Sequence, residues 1–249
     1  MADNIIEVKG LEKFFGGVQA LRGVDMFIPR GQVTAIIGDN GAGKSTLIKC
    51  ISGIHEPTTG EIIVDGVSSR IHSPIAAREL GIETVYQDLA VIDTLTVAQN
   101  LYLSREIRSG IWPLQVLNQR KMNKGAKEML AKVNNTTLPV DRELGAMSGG
   151  QRQAVAICRA VGWGAKVIIF DEPTAALGVN ESAEVHTLIK SLKDQGISVI
   201  IISHNFEEVL GLADLIWVMR QGRAVASRKT SETNGRELVA LLTGAEAHA

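Results

Sequence analysis

Eight consecutive residues, Gly38-Asp39-Asn40-Gly41-Ala42-Gly43-Lys44-Ser45, fit the pattern G-x-x-x-x-G-K-S. The chemistry of that spacing is phosphate binding. Glycines let successive backbone N–H groups turn inward around phosphate oxygens. A helix opening at the end of the run adds about half a positive charge behind them. Lys44 would reach the β- and γ-phosphates, Ser45 would place its hydroxyl on Mg²⁺, and Thr46 joins the candidate nucleotide contacts. The alternative is a glycine-rich turn with an exposed lysine. The flanks argue against it: an apolar stretch at 33–37 runs in and a helix-like stretch at 45–51 leaves.

Further along, an apolar run at 167–170 ends in Asp171-Glu172. Acids closing a buried strand need a cation nearby, because an unpaired buried charge is costly. Asp171 suits Mg²⁺ coordination, directly or through water, and Glu172 suits activation of an attacking water. Without the lysine loop the pair would read as solvated acids. Ser148-Gly149-Gly150-Gln151 has two compatible readings. Ser148 and Gln151 fit a capping box opening a helix to about residue 161. The same hydroxyl and glycine N–H groups form a second anion site at a helix start.

Three single residues complete the set. Gln87 follows the strand-like run 82–86, where an amide could sense Mg²⁺ or water. His204 follows the run 198–202, and its imidazole could donate to a γ-phosphate. A lone histidine is ordinarily structural, but ligands of open α/β sheets bind at strand C-termini. Phe15 could stack on adenine, with Phe14 as the alternative and a core role equally open for either.

The elements that must position these residues are legible as short apolar runs at 5–8, 33–37, 62–64, 82–86, 167–170, 198–202 and 215–219. Several precede helix-like segments, which predicts a largely parallel sheet covered on both faces. Antiparallel parts look peripheral: residues 219–223 read as a turn joining 215–219 to 224–227. Ser73, Pro74 and Gly81 punctuate a short helix. Between 89 and 164 strand-like runs vanish and 95–103 and 118–133 show helical spacing. In the second, Met122, Ala126, Met129, Leu130 and Val133 share one side. The expectation is a helical subdomain inserted into an α/β core, the plainer alternative being two crossover helices. Residues 107–117 read as a loop.

Composition narrows the function classes. The 249 residues carry 26 Lys plus Arg against 27 Asp plus Glu, a net charge of −1 that gives no case for wrapping nucleic acid. Cys50 and Cys158 lack metal-ligand spacing, so neither a disulfide framework nor a zinc site is expected. Met1-Ala2-Asp3-Asn4 has no basic or long apolar character, so no signal peptide is expected. The apolar runs are far shorter than the ~20 residues of a membrane span, which predicts a cytoplasmic protein.

In order, the 38–45 loop, Gln87, Ser148-Gly149-Gly150-Gln151, residues 167–172 and His204 resemble the nucleotide-binding subunit of an ABC transporter. The resemblance spans essentially the whole chain. It implies a P-loop NTPase (RecA-like) α/β core with a mainly parallel sheet, an antiparallel β subdomain and an inserted helical subdomain. The whole would be one ATPase domain, with 1–88 and 165–249 as core and 89–164 as the insertion. Residues 38–43, 83–87, 103–106 and 172–177 are similar to monosaccharide importers of the fructose and ribose type. The implied partners are a second copy of this chain, a membrane permease and, indirectly, a periplasmic sugar-binding protein. The implied location is the inner face of the cell membrane. Each ATP, with Mg²⁺, would lie between Lys44 of one subunit and Ser148 of the other, and a groove near Gln87 would receive the permease. Met147 replaces the family's usual Leu, and Gly178 its usual Asp after Ala175-Ala176-Leu177. A glycine cannot make that carboxylate's contacts across the dimer. An exporter subunit, a non-transport ATPase of the same family and a P-loop kinase are the competing functions.

Overall fold

The apolar runs of the sequence become the inner strands of a six-stranded sheet. A computed structural model describes residues 3–86, 90–110, 114–133, 137–175 and 177–245. The chain begins β1 (Asn4–Phe15), β2 (Val18–Pro29), β3 (Val33–Ile37), α1 (Lys44–Ile51), β4 (Thr59–Val64), β5 (Val67–Ser69), α2 (Pro74–Glu79) and β6 (Ile82–Val85). Next come α3 (Val97–Leu101), β7 (Arg108–Ser109), β8 (Val116–Leu117), α4 (Gln119–Lys132) and α5 (Gly149–Gly162). The last part holds β9 (Val167–Asp171), α6 (Val179–Asp194), β10 (Ser198–Ile202), α7 (Phe206–Leu212), β11 (Leu215–Arg220), β12 (Arg223–Lys229) and α8 (Gly235–Thr243).

The large sheet has the order β12-β11-β3-β10-β9-β6, parallel except for the antiparallel edge pair β11–β12. Its central strands are buried on both faces, which is why they read as continuous apolar runs. Alternation divides their side chains between two cores. Val33, Ala35, Ile37, Ile168 and Phe170 join α3, α4, α5 and α6 on one face. Ile36, Ile169, Ile200 and Ile202 join α1 and the antiparallel sheet β2-β1-β4-β5 on the other. On α4, Met122, Ala126, Met129 and Leu130 are buried, and Val133 just beyond it is buried as well, as the spacing predicts. Cys50 and Cys158 are buried, and burial pushes their thiols up to about 11 and about 12, which leaves them unreactive.

The structure departs from the sequence reading at β1–β2 and at β7–β8. β1 runs on to Phe15 and pairs with β2, a twelve-residue strand that residues 18–29 did not announce. Its inward positions Leu21, Val24, Met26 and Ile28 fall out of strict alternation because the pairing shifts register near positive-φ Gly10 and Gly23. Within 107–117 there is a two-residue ladder, β7–β8, too short to show a period. The hairpin expected at 219–223 is present, with a two-residue turn: Arg220 pairs with Arg223, and Gln221 and Gly222 both have positive φ. That is the backbone a twisted hairpin favours.

Candidate nucleotide site

β3 delivers Gly38 to the end of the sheet, and the loop 38–43 carries the chain into α1. A Cβ on Gly38 would stand 2.4 Å from the Met219 carbonyl oxygen, so only glycine lets the loop lie against β11. Gly43, at φ 99°, caps α1 without a side chain, which leaves the first helical N–H groups free of an internal side-chain partner. The hairpin turn braces the loop. The Gly222 N–H donates to the Ala42 carbonyl (3.0 Å), and the Gly222 carbonyl accepts from the Arg22 N–H (2.8 Å).

Asn40, Gly41, Ala42, Gly43, Lys44, Ser45 and Thr46 line a cleft of about 600 Å³ together with Asp171 and Glu172. Gly38 and Asp39 are not among the lining residues, but their carbonyls accept from Lys44 Nζ at 2.5 and 3.1 Å. Burial lowers the Lys44 pKa, against the opposing charges of Glu172, Asp39 and Asp171. Burial and the Glu172 charge raise the Asp171 pKa. Two acids side by side with Ser45 make a hard, oxygen-only donor set. That set fits Mg²⁺, which takes one or two protein oxygens and fills its shell with phosphate and water. Among the described residues no cluster of three or more His, Cys, Asp or Glu offers an all-protein metal cage.

Glu172 follows β9 in the left-handed region (φ 51°), where its N–H donates to the Ile202 carbonyl of β10 (3.0 Å). A non-glycine residue there costs about 1 kcal/mol or more and marks a position that its surroundings hold in place. The bond to β10 brings Glu172 Oε1 to 3.2 Å from His204 Nδ1, so the two strand-end candidates are in contact. Gln87 lies outside the described residues; β6, which leads to it, pairs with β9 at the same sheet edge.

Ser148 caps α5 as expected. Its Oγ accepts from the Gln151 N–H (3.3 Å), and Gln151 Oε1 accepts from the Ser148 N–H (3.2 Å). Within one chain this site is separate from the lysine cleft: Gly150 and Gln151 line another groove, with Glu184 and Leu188 of α6. The Glu181 carboxylate accepts from the Gly178 N–H (3.3 Å). Its pKa is lowered by the backbone N–H groups of Gly178 and Gly150 and by Ser148 and Gly149, placing an acid beside the α5 N-terminus. Gly178 has ordinary extended backbone (φ −71°), so the conformation does not call for glycine.

Phe15 pairs across the strands with Val18, which lines the lysine cleft, but Phe15 is not itself among the lining residues. Its ring meets His55 edge-on at 5.1 Å and lies under Lys13 Nζ. Phe14 and Phe15 are comparably exposed, at 41% and 43%. Sequence reasoning missed Gln221-Gly222 as part of the cleft, although the turn itself was visible. It also missed a buried acid, Glu208, on α7.

The ABC transporter family profile matches residues 21–175. The chain is 44% identical over 240 residues to the xylose/arabinose import ATP-binding protein XylG of Sulfolobus acidocaldarius, covering 96% of this chain and 94% of that protein. It is 42% identical over 247 residues to the fructose import ATP-binding protein FrcA of Rhizobium meliloti, covering 97% and 95%. A ribose import ATP-binding protein of Rhizobium etli is 40% identical over 98% of this chain but only 47% of its own length. Among solved structures, a nucleotide-free ATP-binding cassette from an ABC transporter superposes with TM-score 0.79 at 28% identity, over 97% of this chain and 95% of that one. A dimeric bacterial ABC transporter cassette gives 0.73 at 25% identity, over 90% and 98%. No described helix is long and apolar enough to cross a membrane. A lysine loop, two strand-end acids and a capped Ser-Gly-Gly-Gln helix, in a chain matched almost end to end by these relatives, place it in the ABC transporter family as an ATP-hydrolysing cassette.

Proposed function

We propose that this cassette powers import of a small sugar through a separate membrane permease, at the inner face of the cell membrane. The observation that carries the ATPase half is the single cleft lined by Lys44, Ser45, Asp171 and Glu172. The names of the xylose/arabinose and fructose import relatives support the cargo class. In this reading the chain is one ATPase unit, with 1–88 and 165–249 as core and 89–164 as a helical insertion.

Two copies face each other, and each ATP lies between one subunit's residues 38–46 and the other's Ser148, Gly149, Gly150 and Gln151. The separation of the two anion sites within one chain supports that arrangement. Lys44 and the α1 N-terminus neutralise the phosphates. Ser45, Asp171 and Gln87 hold Mg²⁺, which supplies charge neutralisation on the transferring phosphoryl group. Glu172 orients and deprotonates the attacking water, and His204, held against Glu172, donates to the γ-phosphate. Phe15, the cross-strand partner of the cleft-lining Val18, supports the adenine. The permease docks near Gln87, with a periplasmic sugar-binding protein on its far side.

The test is to isolate the chain from gently solubilised native membranes and identify its companions by mass spectrometry. A multi-span permease encoded with a sugar-binding protein supports the proposal. Ribosomal or DNA-repair partners without a permease overturn the transport role and leave the ATPase in place.

A further inference from the structure

Glu208 is 5% exposed, and the reaction scheme above does not use it. It lies in the first turn of α7, where the helix end favours a negative charge. Its carboxylate is fully engaged. Oε1 accepts from Thr174 Oγ1 at 2.8 Å and faces His186 Nε2 of α6 at 3.1 Å. Oε2 accepts from Ser203 Oγ. Ser203 Oγ in turn accepts from the Asn205 N–H at 3.0 Å. Thr174 stands two residues after Glu172, and Ser203 immediately precedes His204. One buried acid therefore ties together the segments that follow β9 and β10, through residues within two positions of Glu172 and His204.

We propose that Glu208 is a positioning residue for ATP hydrolysis, its carboxylate clamping the segment behind Glu172 to the segment that carries His204. The inference rests on the reading of Glu172 and His204 as the groups that act on water and γ-phosphate. Hydrogen bonds to an ionised acceptor are about twice as strong as neutral ones. They hold both hydroxyls as donors to the carboxylate, where an amide NH2 would force one hydroxyl to rotate and accept instead. Misplacing a reacting group by about 1 Å costs up to ~10²-fold in rate. Glu172, in a left-handed backbone conformation, needs such outside support more than a relaxed residue would.

The test compares full-length wild type, Glu208→Gln and Glu172→Gln with MgATP, reading kcat, nucleotide Kd and thermal unfolding. The expected result is that Glu208→Gln lowers kcat roughly tenfold to hundredfold while Kd stays within about twofold. Added to Glu172→Gln, it should lower the residual rate hardly at all, since the two act as a unit. A Glu208→Gln enzyme with wild-type kcat and a lowered Tm would mean a merely structural acid and overturn the inference, as would fully additive losses. If Glu208→Gln does not fold, Ser203→Ala carries the same kcat prediction and the same refutation. Near-normal turnover in Glu172→Gln would instead sink the site reading. Lost turnover there with intact Glu208→Gln sinks this inference alone.

Discussion

Glu172→Gln separates binding from chemistry most cleanly. The amide keeps the shape of the side chain, and it can hydrogen-bond His204 Nδ1 as the carboxylate does at 3.2 Å. The left-handed backbone at φ 51° is unchanged, so stability should move by no more than about 0.5 kcal/mol. What disappears is the base, and losing a general base costs ~10²–10⁴ in rate. A negative charge that opposes the incoming phosphates disappears as well. At ~5 Å from one phosphate charge, a carboxylate repels it by about 1–3 kcal/mol between water-like and surface-like screening. The lower bound already tightens ATP about fivefold. The Asp171 pKa, raised by burial and then by the Glu172 charge, should move down when that charge is removed. The assay is phosphate release with MgATP, alongside nucleotide binding by fluorescence and light scattering for a trapped dimer. Turnover within about threefold of wild type, or weakened ATP binding, would refute the reasoning.

Other perturbations test the remaining parts of the site. Gly38→Ala puts a Cβ 2.4 Å from the Met219 carbonyl, so it should abolish nucleotide binding measured by fluorescence while leaving the far-ultraviolet circular dichroism intact. Ser148→Ala removes the α5 cap, costing about 1 kcal/mol and ~2–4 °C in Tm. It should spare ATP binding to the monomer and lose the ATP-dependent dimer, as read by light scattering. Asp171→Asn should raise Tm at neutral pH. The folded state holds this carboxyl's proton to higher pH than the unfolded chain does. The stability Asp171 contributes is therefore present below its unfolded pKa and lost as pH rises through the raised folded one. Scanning calorimetry from pH 4 to 8 should show wild type losing ground to the variant as pH rises.

The lysine loop, the strand-end acids and the Ser148 capping box were legible because each is a local matter: a few adjacent residues whose types dictate their own backbone. The central strands were legible because burial on both faces leaves an unbroken apolar run. β2 was hidden, since register shifts break its alternation, and β7–β8 is too short to carry a period. The clasp of Gly222 on the loop was hidden too. It joins residues about 180 positions apart in the chain, 42 and 222, through backbone groups that have no residue signature.

By itself, then, the sequence determined which chemical groups the protein carries, and that the 38–45 loop follows a strand, Asp171-Glu172 ends one and Ser148 opens a helix. Only the tertiary structure decided how they meet. Parallel pairing of β9 with β10 sets Glu172 against His204, and Glu208 gathers Thr174, His186 and Ser203 from three separate segments. Folding alone leaves the Ser148 site outside the Lys44 cleft. The physical reason is range: capping, turn chemistry and periodicity act over a few residues, whereas a hydrogen bond between distant segments exists only once the sheet has brought them within about 3 Å.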